Sequence, residues 1–202
     1  MSVRGSVVVV MLSASACGPQ PAPVAPPPTP EPPHVETLHA GVGLSDLPLA
    51  ATRQAVVARY GAPTKIVPHG SYSVELVYEA GLSAFYCQAD PSERVFVFSF
   101  KPPFRARTPR GIVLGESTAR DVRKAYGDSG EWSTSDKSKY WRLGYAAQGF
   151  GFVVERDLSV PQFPLDEERH LGRTIVAIEV TFPGTFQCGD TAFPENYAPP
   201  AD

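Results

Sequence analysis

Apolar and polar residues alternate in several short runs between residues 74 and 182, which is the pattern of half-buried β-strands. The runs fall into two sets of three, namely Val74–Ala80, Leu82–Cys87 and Arg94–Phe100, then Tyr140–Ala146, Gly149–Glu155 and Thr174–Phe182. The pattern therefore predicts two antiparallel meanders.

The alternation also separates two faces of each meander. In the second set, the face expected to pack against helices carries Trp141, Leu143, Tyr145, Phe150, Phe152, Val154, Ile178, Val180 and Phe182. The opposite face carries Tyr140, Arg142, Val153, Glu155, Glu179 and Thr181. In the first set the opposite face is apolar as well, with Val77, Phe85, Val95 and Val97. Such an apolar face is either covered by another part of the protein or exposed as an interaction surface.

Each set of strands follows a short helical pattern that ends at a glycine. The first helix is predicted over Leu49–Tyr60, before Gly61, and the second over Thr118–Tyr126, before Gly127. The first residue of the second helix forms a capping box with Asp121. Glycine suits the positive φ angle that often follows the last turn of a helix.

The two sets match each other along their length, which indicates an internal duplication. Leu82 corresponds to Phe150, and Phe100 corresponds to Phe182. The predicted fold class is α+β: a tandem repeat of helix plus antiparallel β-meander units. The predicted units span residues 37–106 and 107–190, and residues 191–202 form a C-terminal tail.

The end of the first helix carries a family resemblance. Tyr60-Gly61-Ala62-Pro63, followed by a Tyr/Trp-rich meander, resembles the SmpA/OmlA (BamE-like) lipoprotein unit, and two units in tandem resemble the β-lactamase inhibitory protein (BLIP) family. The resemblance covers about residues 40–184, and the second unit has Gly127-Asp128-Ser129 in place of Gly-x-Pro. It implies helices on one face of a four-stranded antiparallel sheet in each unit, with the units joined into a continuous or paired concave sheet. A first strand near Thr64–Pro68 and one near Glu131–Thr134 would then complete the two sets. The inhibitor's contact residues lie on no shared motif, so none is transferred.

The N-terminus has the order of a secretory signal peptide over residues 1–16. Arg4 precedes the apolar run Val7–Leu12, which is too short to span a bilayer, and small residues follow. Ala14-Ser15-Ala16-Cys17 resembles a bacterial lipobox, which predicts lipidation of Cys17 and an outer-membrane anchor facing the periplasm. The alternative is an ordinary signal peptide that is cleaved near Cys17.

Residues 17–36 form a proline-rich linker after this cysteine. Such a segment adopts extended polyproline II and, at about 3.1 Å per residue, reaches roughly 60 Å from the membrane. A spacer is the favoured interpretation, and a ligand for a PxxP-binding partner is the alternative. The formal net charge of the chain is −3, which argues against a nucleic-acid partner.

Export changes the interpretation of the cysteines. With Cys17 lipidated, Cys87 and Cys188 remain as an even pair in an oxidising compartment. A disulfide between them is predicted, and two unpaired thiols are the alternative.

The sequence carries none of the motifs of common hydrolases, metalloproteases, redox cysteine pairs or phosphate-binding loops. No cofactor or metal is predicted. The densest ionisable cluster, in the connection from Asp157 to Arg173, consists of Asp166, Glu167, Glu168, Arg169 and His170. It is interpreted as a solvated loop and as a second choice of contact region.

The sequence therefore predicts a lipoprotein that acts as a non-catalytic module and binds a periplasmic or outer-membrane protein, either in envelope assembly or as an inhibitor. The candidate binding residues are Tyr140, Arg142, Glu155, Glu179, Asp166, Glu167 and Glu168. The alternatives are a cell-envelope hydrolase, which a deep pocket of converging ionisable groups would favour, and a carrier of a small apolar ligand.

Overall fold

The structure, a computed structural model, describes residues 35–134, 138–159, 166–184 and 188. Several predictions concern segments outside these residues, namely the signal peptide 1–16, Cys17, most of the linker 17–36 and the tail 191–202. Within the part of the chain that the structure describes, no helix is long and apolar enough to cross a membrane.

The fold is built mainly from strands. In chain order the strands are β1 (Glu36–Thr37), β2 (Gly43–Leu44), β3 (Leu47–Pro48), β4 (Lys65–His69), β5 (Ser73–Val77), β6 (Leu82–Cys87), β7 (Val95–Phe100), β8 (Ala106–Arg107), β9 (Glu131–Ser133), β10 (Tyr140–Tyr145), β11 (Phe150–Glu155) and β12 (Ile175–Thr181). The helices are α1 (Arg53–Tyr60), α2 (Ala119–Tyr126) and α3 (Glu167–Leu171), and Ala146–Gln148 forms a 3-10 turn.

Eight of these strands form one antiparallel sheet in the order β4-β5-β6-β7-β12-β11-β10-β9. Each half of the sheet is a meander of neighbouring strands, and the two meanders meet where β7 pairs with β12. The short strands pair apart from this sheet, β1 with β8 in parallel and β2 with β3 in antiparallel. The last strand of each meander therefore lies at the centre of the sheet.

The prediction of an α+β tandem repeat is wrong. Of the described residues, 17% are helical and 41% are in strands or bridges, so the fold is mostly an eight-stranded antiparallel sheet. Part of the first predicted helix is not helical, because the Ala50 N–H donates to the carbonyl of Val95 and the Val95 N–H donates to the carbonyl of Ala51. Helix α1 begins only at Arg53, after the N-cap Thr52.

The alternation located the sheet strands well. Each of the six predicted runs overlaps a strand of the sheet, and the two added segments overlap β4 and β9. The predicted inner row of the second meander, from Trp141 to Phe182, is buried at all nine positions. Tyr126 of α2 packs its ring against Tyr145, Phe150 and Phe152. Helix α2 therefore packs on this face, and the other face of the second meander points away from the helix.

A β-bulge corrects one predicted face in the first meander. Phe85 pairs with Val97, but the next residue, Tyr86, pairs with Val95, so Phe96 is an extra residue in β7. An extra residue inverts the alternation beyond it. Val95 therefore turns into the core, where it is fully buried, and the prediction that it lies on the face away from the helices is wrong.

The structure also corrects the predicted match between the last strands of the two meanders. Leu82 pairs with Phe100 in the first meander, and Phe150 pairs with Val180 in the second. Since Leu82 and Phe150 start equivalent strands, Phe100 corresponds to Val180 and not to Phe182. The predicted match of the last strands is off by two residues.

The predicted caps of α2 are confirmed. The Thr118 hydroxyl accepts the N–H of Asp121, and the Asp121 carboxylate accepts the N–H of Thr118. Gly127 follows the helix with a φ of 85°. At the far end of β6, the sulfur atoms of Cys87 and Cys188 are joined, 101 positions apart in the chain.

Candidate functional site

The sheet face away from the helices carries a groove over the second meander, with a volume of about 440 Å³. We call it the binding groove, and it is lined by Lys101, Ser133, Thr134, Ser138, Tyr140, Arg142, Val153, Glu155, Val176, Ala177 and Glu179. These residues come from β9, β10, β11 and β12 and from the positions next to β7 and β9. The groove therefore crosses the strands and does not run along one of them.

The sheet register explains why these side chains meet. Arg142 lies opposite Ser133 on one side and opposite Val153 on the other, and Val153 lies opposite Ala177. Residues that are opposite each other in a ladder point to the same face. The four side chains thus form one row across β9, β10, β11 and β12, and Lys101 follows directly after β7 at the end of this row.

A second bulge widens the apolar part of this row. Val153 pairs with Ala177 and Val154 pairs with Ile175, so Val176 is the extra residue of β12. The bulge brings Val176 and Ala177 together into the groove lining. The floor of the binding groove is accordingly aliphatic between its charged ends.

Arg142 and Glu179 form an ion pair in the binding groove. The Arg142 Nε–H donates to Glu179 Oε2 over 2.6 Å, and the two side chains are 35% and 26% exposed. An ion pair at this exposure adds little to the free energy of unfolding. Its main effect is to hold the guanidinium group in one orientation.

Two glycines form a seat under this guanidinium group. Gly144 in β10 pairs with Gly151 in β11. A Cβ atom at Gly144 would lie 2.5 Å from Arg142 Nη1, and one at Gly151 would lie 2.6 Å from both Nε and Nη2. Both distances are shorter than a nonbonded contact allows, so any other residue at either position would displace the guanidinium group.

The rim of the binding groove is formed by Tyr140 and Glu155, which lie opposite each other in the β10–β11 ladder. The side chain of Tyr140 is exposed. Its backbone is held on both sides, because its N–H donates to Ser138 Oγ and its carbonyl accepts the hydroxyl of Thr134. The backbone that carries the ring is therefore fixed at the rim.

The structure brings together four of the seven residues predicted for binding, namely Tyr140, Arg142, Glu155 and Glu179. The other three lie at α3 and pair with arginines on the helix side of the protein. Glu167 binds Arg123, Glu168 binds Arg120 and Asp166 binds Arg169, each over 2.9 Å. The interpretation of this segment as a loop is corrected, because residues 167–171 form α3.

His170 of α3 is a buried titratable group outside the binding groove. It is only 3% exposed, and its ring centroid lies 5.3 Å from that of Trp141 and 5.9 Å from that of Trp132. Burial is the largest cause that lowers the pKa of His170, and Arg173 lowers it further. Burial therefore disfavours the protonated form of this imidazole.

Several groove residues were absent from the sequence prediction. Lys101 lies past the end of β7, and it reaches the groove only through the pairing of β7 with β12, which no local pattern indicates. The two glycines did leave a signal, since alternation along β10 and β11 places Gly144 beside Arg142 and Gly151 beside Val153 on one face.

The arrangement is suited to binding by mixed contacts. Arginine, lysine and hydroxyl groups supply donors, Glu155 supplies an acceptor, and Val153, Val176 and Ala177 supply an apolar floor. Among residues 35–134, 138–159, 166–184 and 188, no group of three or more His, Cys, Asp or Glu side chains is placed to hold a metal ion.

No family model matches the sequence, and no curated protein matches it. Two solved structures are similar to the chain. One is a DUF4309 family protein (YjgB) from Bacillus subtilis, 14% identical over 70% of this chain and 88% of its own, with a TM-score of 0.46. The other is an extracellular protein containing an SCP domain from Bacillus anthracis, 13% identical over 79% of this chain and 50% of its own, with a TM-score of 0.34.

Proposed function

We propose that this protein is a non-catalytic binding protein and that its binding groove holds a segment of a partner protein. The observation that carries the proposal is the convergence of Tyr140 and Arg142 over an aliphatic floor, on the side of the second meander that faces away from the helices. Tyrosine and arginine are enriched among the residues that contribute most to protein–protein binding. The charged residues around them supply direction and specificity.

The composition of the groove favours a protein segment over a small apolar ligand. A volume of about 440 Å³ is in the range of small-molecule pockets. However, a wholly apolar ligand would cover Lys101, Arg142 and Glu155 without offering them hydrogen bonds. Desolvating charged groups without partners is costly. A peptide offers carbonyl groups, N–H groups and side chains of both kinds, so it matches the lining better.

The proposal includes the location of the protein. The lipobox-like Ala14-Ser15-Ala16-Cys17 and the proline-rich linker support a lipoprotein that is anchored to the outer membrane and faces the periplasm. Mass spectrometry of the mature N-terminus tests the anchor. We expect diacylglyceryl and palmitoyl masses on Cys17 in the parent protein and none in Cys17→Ala. An unacylated parent protein would rule out the anchor.

Site-specific photo-crosslinking tests the binding function. We would place a photoreactive phenylalanine analogue at Tyr140, on the rim of the groove, and at Lys124, an exposed position on α2. Crosslinking in envelope extracts is expected to give a discrete adduct from position 140 and none from position 124. Both variants carry the same probe, so the comparison controls for nonspecific labelling.

A competition experiment completes this test. The adduct at position 140 should decrease when Val153→Arg, which fills the floor of the groove, is introduced into the probe-bearing protein. No adduct at position 140, equal adducts at both positions, or an adduct that is insensitive to Val153→Arg would contradict a binding function for the groove.

A further inference from the structure

We propose that Arg142 is the anion-recognition residue of the binding groove and that the partner segment presents an internal Asp or Glu side chain to it. This inference rests on the proposed function and adds the chemistry of the occupant. Its basis is the geometry of Arg142, Glu179, Gly144 and Gly151, together with the Lys101 ammonium group at one end of the groove.

The guanidinium group of Arg142 has hydrogen-bonding capacity that the chain does not use. Its Nε–H is directed to Glu179. Within the described part of the chain, its Nη1 and Nη2 atoms have no hydrogen-bond acceptor. A guanidinium group has five N–H donors, and the Nη atoms bind carboxylates with two parallel hydrogen bonds. A carboxylate is therefore the chemical group that best satisfies the remaining donors.

Lys101 is the second cationic group in the lining. Lys101 contributes an ammonium group at one end of the groove, and no ion pair of Lys101 occurs among the residues that the structure describes. Of the two carboxylates in the lining, Glu179 is already bound by Arg142, which leaves Glu155 on the rim. An occupant that supplies acceptors near Arg142 and Lys101 therefore complements the groove.

The extent of the groove favours an internal side chain over a C-terminal carboxylate. The lining runs from Lys101, after β7, to Ser133 in β9 and so crosses five neighbouring strands. Four gaps of about 4.8 Å between strands give a length of about 19 Å. At about 3.3 Å per residue, an extended segment of about six residues spans this length. Such a segment enters at one side and leaves at the other.

A substitution at Gly151 changes the orientation of the Arg142 guanidinium group without removing its charge. Gly151→Ala keeps Arg142 but places a methyl group where Nε and Nη2 lie. Gly172→Ala is the matched control, because a Cβ atom at Gly172 meets no atom within 4 Å. If Arg142 acts through its fixed orientation, Gly151→Ala weakens recognition of the carboxylate, and Gly172→Ala does not.

The test begins with a peptide library displayed on phage and selected against the full chain with its disulfide intact. We expect selected peptides to carry an internal Asp or Glu beside apolar residues. The peptide that binds most tightly is then synthesised, with its acidic residue and with the matching amide, and each form is made with a free and with an amidated C-terminus. Dissociation constants are measured by fluorescence anisotropy.

A double-mutant cycle assigns the contact to Arg142. In the wild-type protein, replacing the acidic residue of the peptide by its amide should weaken binding about tenfold or more, as for a charge-assisted hydrogen bond. In Arg142→Gln the same replacement should have less than a twofold effect. Arg120→Gln, on the helix side, should behave like the wild type. Amidation of the C-terminus should change nothing.

The outcomes separate the inference from the proposed function. Peptides whose binding is lost in Val153→Arg occupy the groove. If such peptides carry no acidic residue, or if the double-mutant cycle shows additive effects, the inference alone is overturned. Binding that depends on a free C-terminus also overturns the inference alone. If no selected peptide is sensitive to Val153→Arg, the proposed function fails, and the inference fails with it. If Arg142→Gln does not fold, Gly151→Ala takes its place in the cycle, and an amide effect undiminished there overturns the inference.

Discussion

At the scale of single residues, two glycines determine the orientation of the Arg142 side chain, because they leave room for its guanidinium group. Gly144 and Gly151 lie side by side on adjacent strands, and together they leave a flat area of backbone in an otherwise side-chain-bearing face. The guanidinium group lies on this area and reaches Glu179. Arg142 is therefore ordered before any partner binds, which lowers the entropy that binding would cost.

This seat predicts the effect of a single methyl group. Gly151→Ala should displace the guanidinium group and break its hydrogen bond to Glu179, because the new Cβ atom would lie 2.6 Å from Nε. The NMR signal of the Arg142 Nε–H should then shift toward that of a solvent-exposed arginine. Gly172→Ala should leave this signal unchanged. An unchanged signal in Gly151→Ala would show that the seat does not orient Arg142.

His170 predicts a pH dependence of stability. Its pKa in the folded protein is lowered, chiefly by burial and then by Arg173. Below its unfolded pKa of about 6.5, the unfolded chain binds more protons at this residue than the folded chain, so the free energy of unfolding falls as the pH falls. The neighbouring charges of Asp166, Asp157 and Arg156 modulate this effect.

The measurement is the free energy of unfolding in urea at pH 5 and pH 7.5, for the wild type and for His170→Phe. Phenylalanine keeps an aromatic ring between Trp132 and Trp141. The decrease between pH 7.5 and pH 5 should therefore be smaller in His170→Phe than in the wild type. Equal decreases in both proteins would show that His170 does not cause the pH dependence.

Several of the side chains that line the binding groove were predictable at this scale, because the alternation of a half-buried strand indicates which residues share a face. Tyr140 and Arg142 stand at alternate positions in β10, and Glu155 and Glu179 follow the same rule in β11 and β12. Val95 was placed on the wrong face because the bulge at Phe96 leaves no local signal that alternation would detect. Simple periodicity fails at bulges for this physical reason.

At the scale of elements, the N-termini of α1 and α2 differ in how they are capped. Thr118 and Asp121 exchange hydrogen bonds at the start of α2. At α1, the hydroxyl of Thr52 accepts only the N–H of Ala55, over 3.3 Å, and no acidic residue lies in the first turn. Helix α2 also packs Val122 and Tyr126 into the core. Fraying of this helix after loss of its cap would therefore expose core residues.

The two N-caps predict that a Thr→Ala substitution lowers the free energy of unfolding by different amounts at α1 and α2. Thr118→Ala should lower the free energy of unfolding by about 1 kcal/mol, because it removes the hydroxyl that caps the helix. Thr52→Ala, the matched control at α1, should lower it by less. Both hydroxyls accept an N–H over 3.3 Å, but only the Thr118 hydroxyl also donates to a carboxylate, that of Asp121, over 2.8 Å. Urea denaturation of both variants measures the difference. A larger loss in Thr52→Ala would contradict this ranking.

Two predictions were wrong at this scale, namely the length of the first helix and the loop in place of α3. Both errors arise from tertiary contacts. The backbone at Ala50 and Ala51 bonds to Val95, which competes with helix formation. Helix α3 has only five residues, and Glu167 and Glu168 bind Arg123 and Arg120 of α2. A helix this short is marginal in isolation, so its local sequence carries little signal.

At the scale of the whole molecule, the pairing of β7 with β12 joins the two meanders into one sheet. Phe98 and Val180 lie opposite each other in this pair, and both are fully buried. The pairing connects residues about 80 positions apart, so no local pattern indicates it. Strand positions were therefore predictable from the sequence, but the order of the strands and the mostly-β character of the fold were not.

The disulfide adds a second long-range connection, because it closes a loop of about 100 residues between Cys87 and Cys188. In the chain-entropy model, such a loop adds at most about 4–5 kcal/mol to the free energy of unfolding. Cys188→Ser should therefore lower the denaturation midpoint of the oxidised protein, and reduction of the wild type should lower it to about the same value.

The count of free thiols provides the control for this prediction. Under denaturing conditions, the wild-type chain should gain two reactive thiols on reduction, and Cys188→Ser should gain none from this pair. An unchanged number of thiols in the wild type after reduction would show that Cys87 and Cys188 are not joined in the purified protein.

The central place of β12 has a consequence for the order in which the sheet is completed. As the chain enters the compartment where it folds, β4 to β7 arrive before residues 175–181, so the hydrogen-bonding edge of β7 stays bare until β12 arrives. An incomplete chain in this interval displays an open strand edge to its neighbours. Fragments that end before residue 175 are therefore expected to aggregate more readily than the full chain.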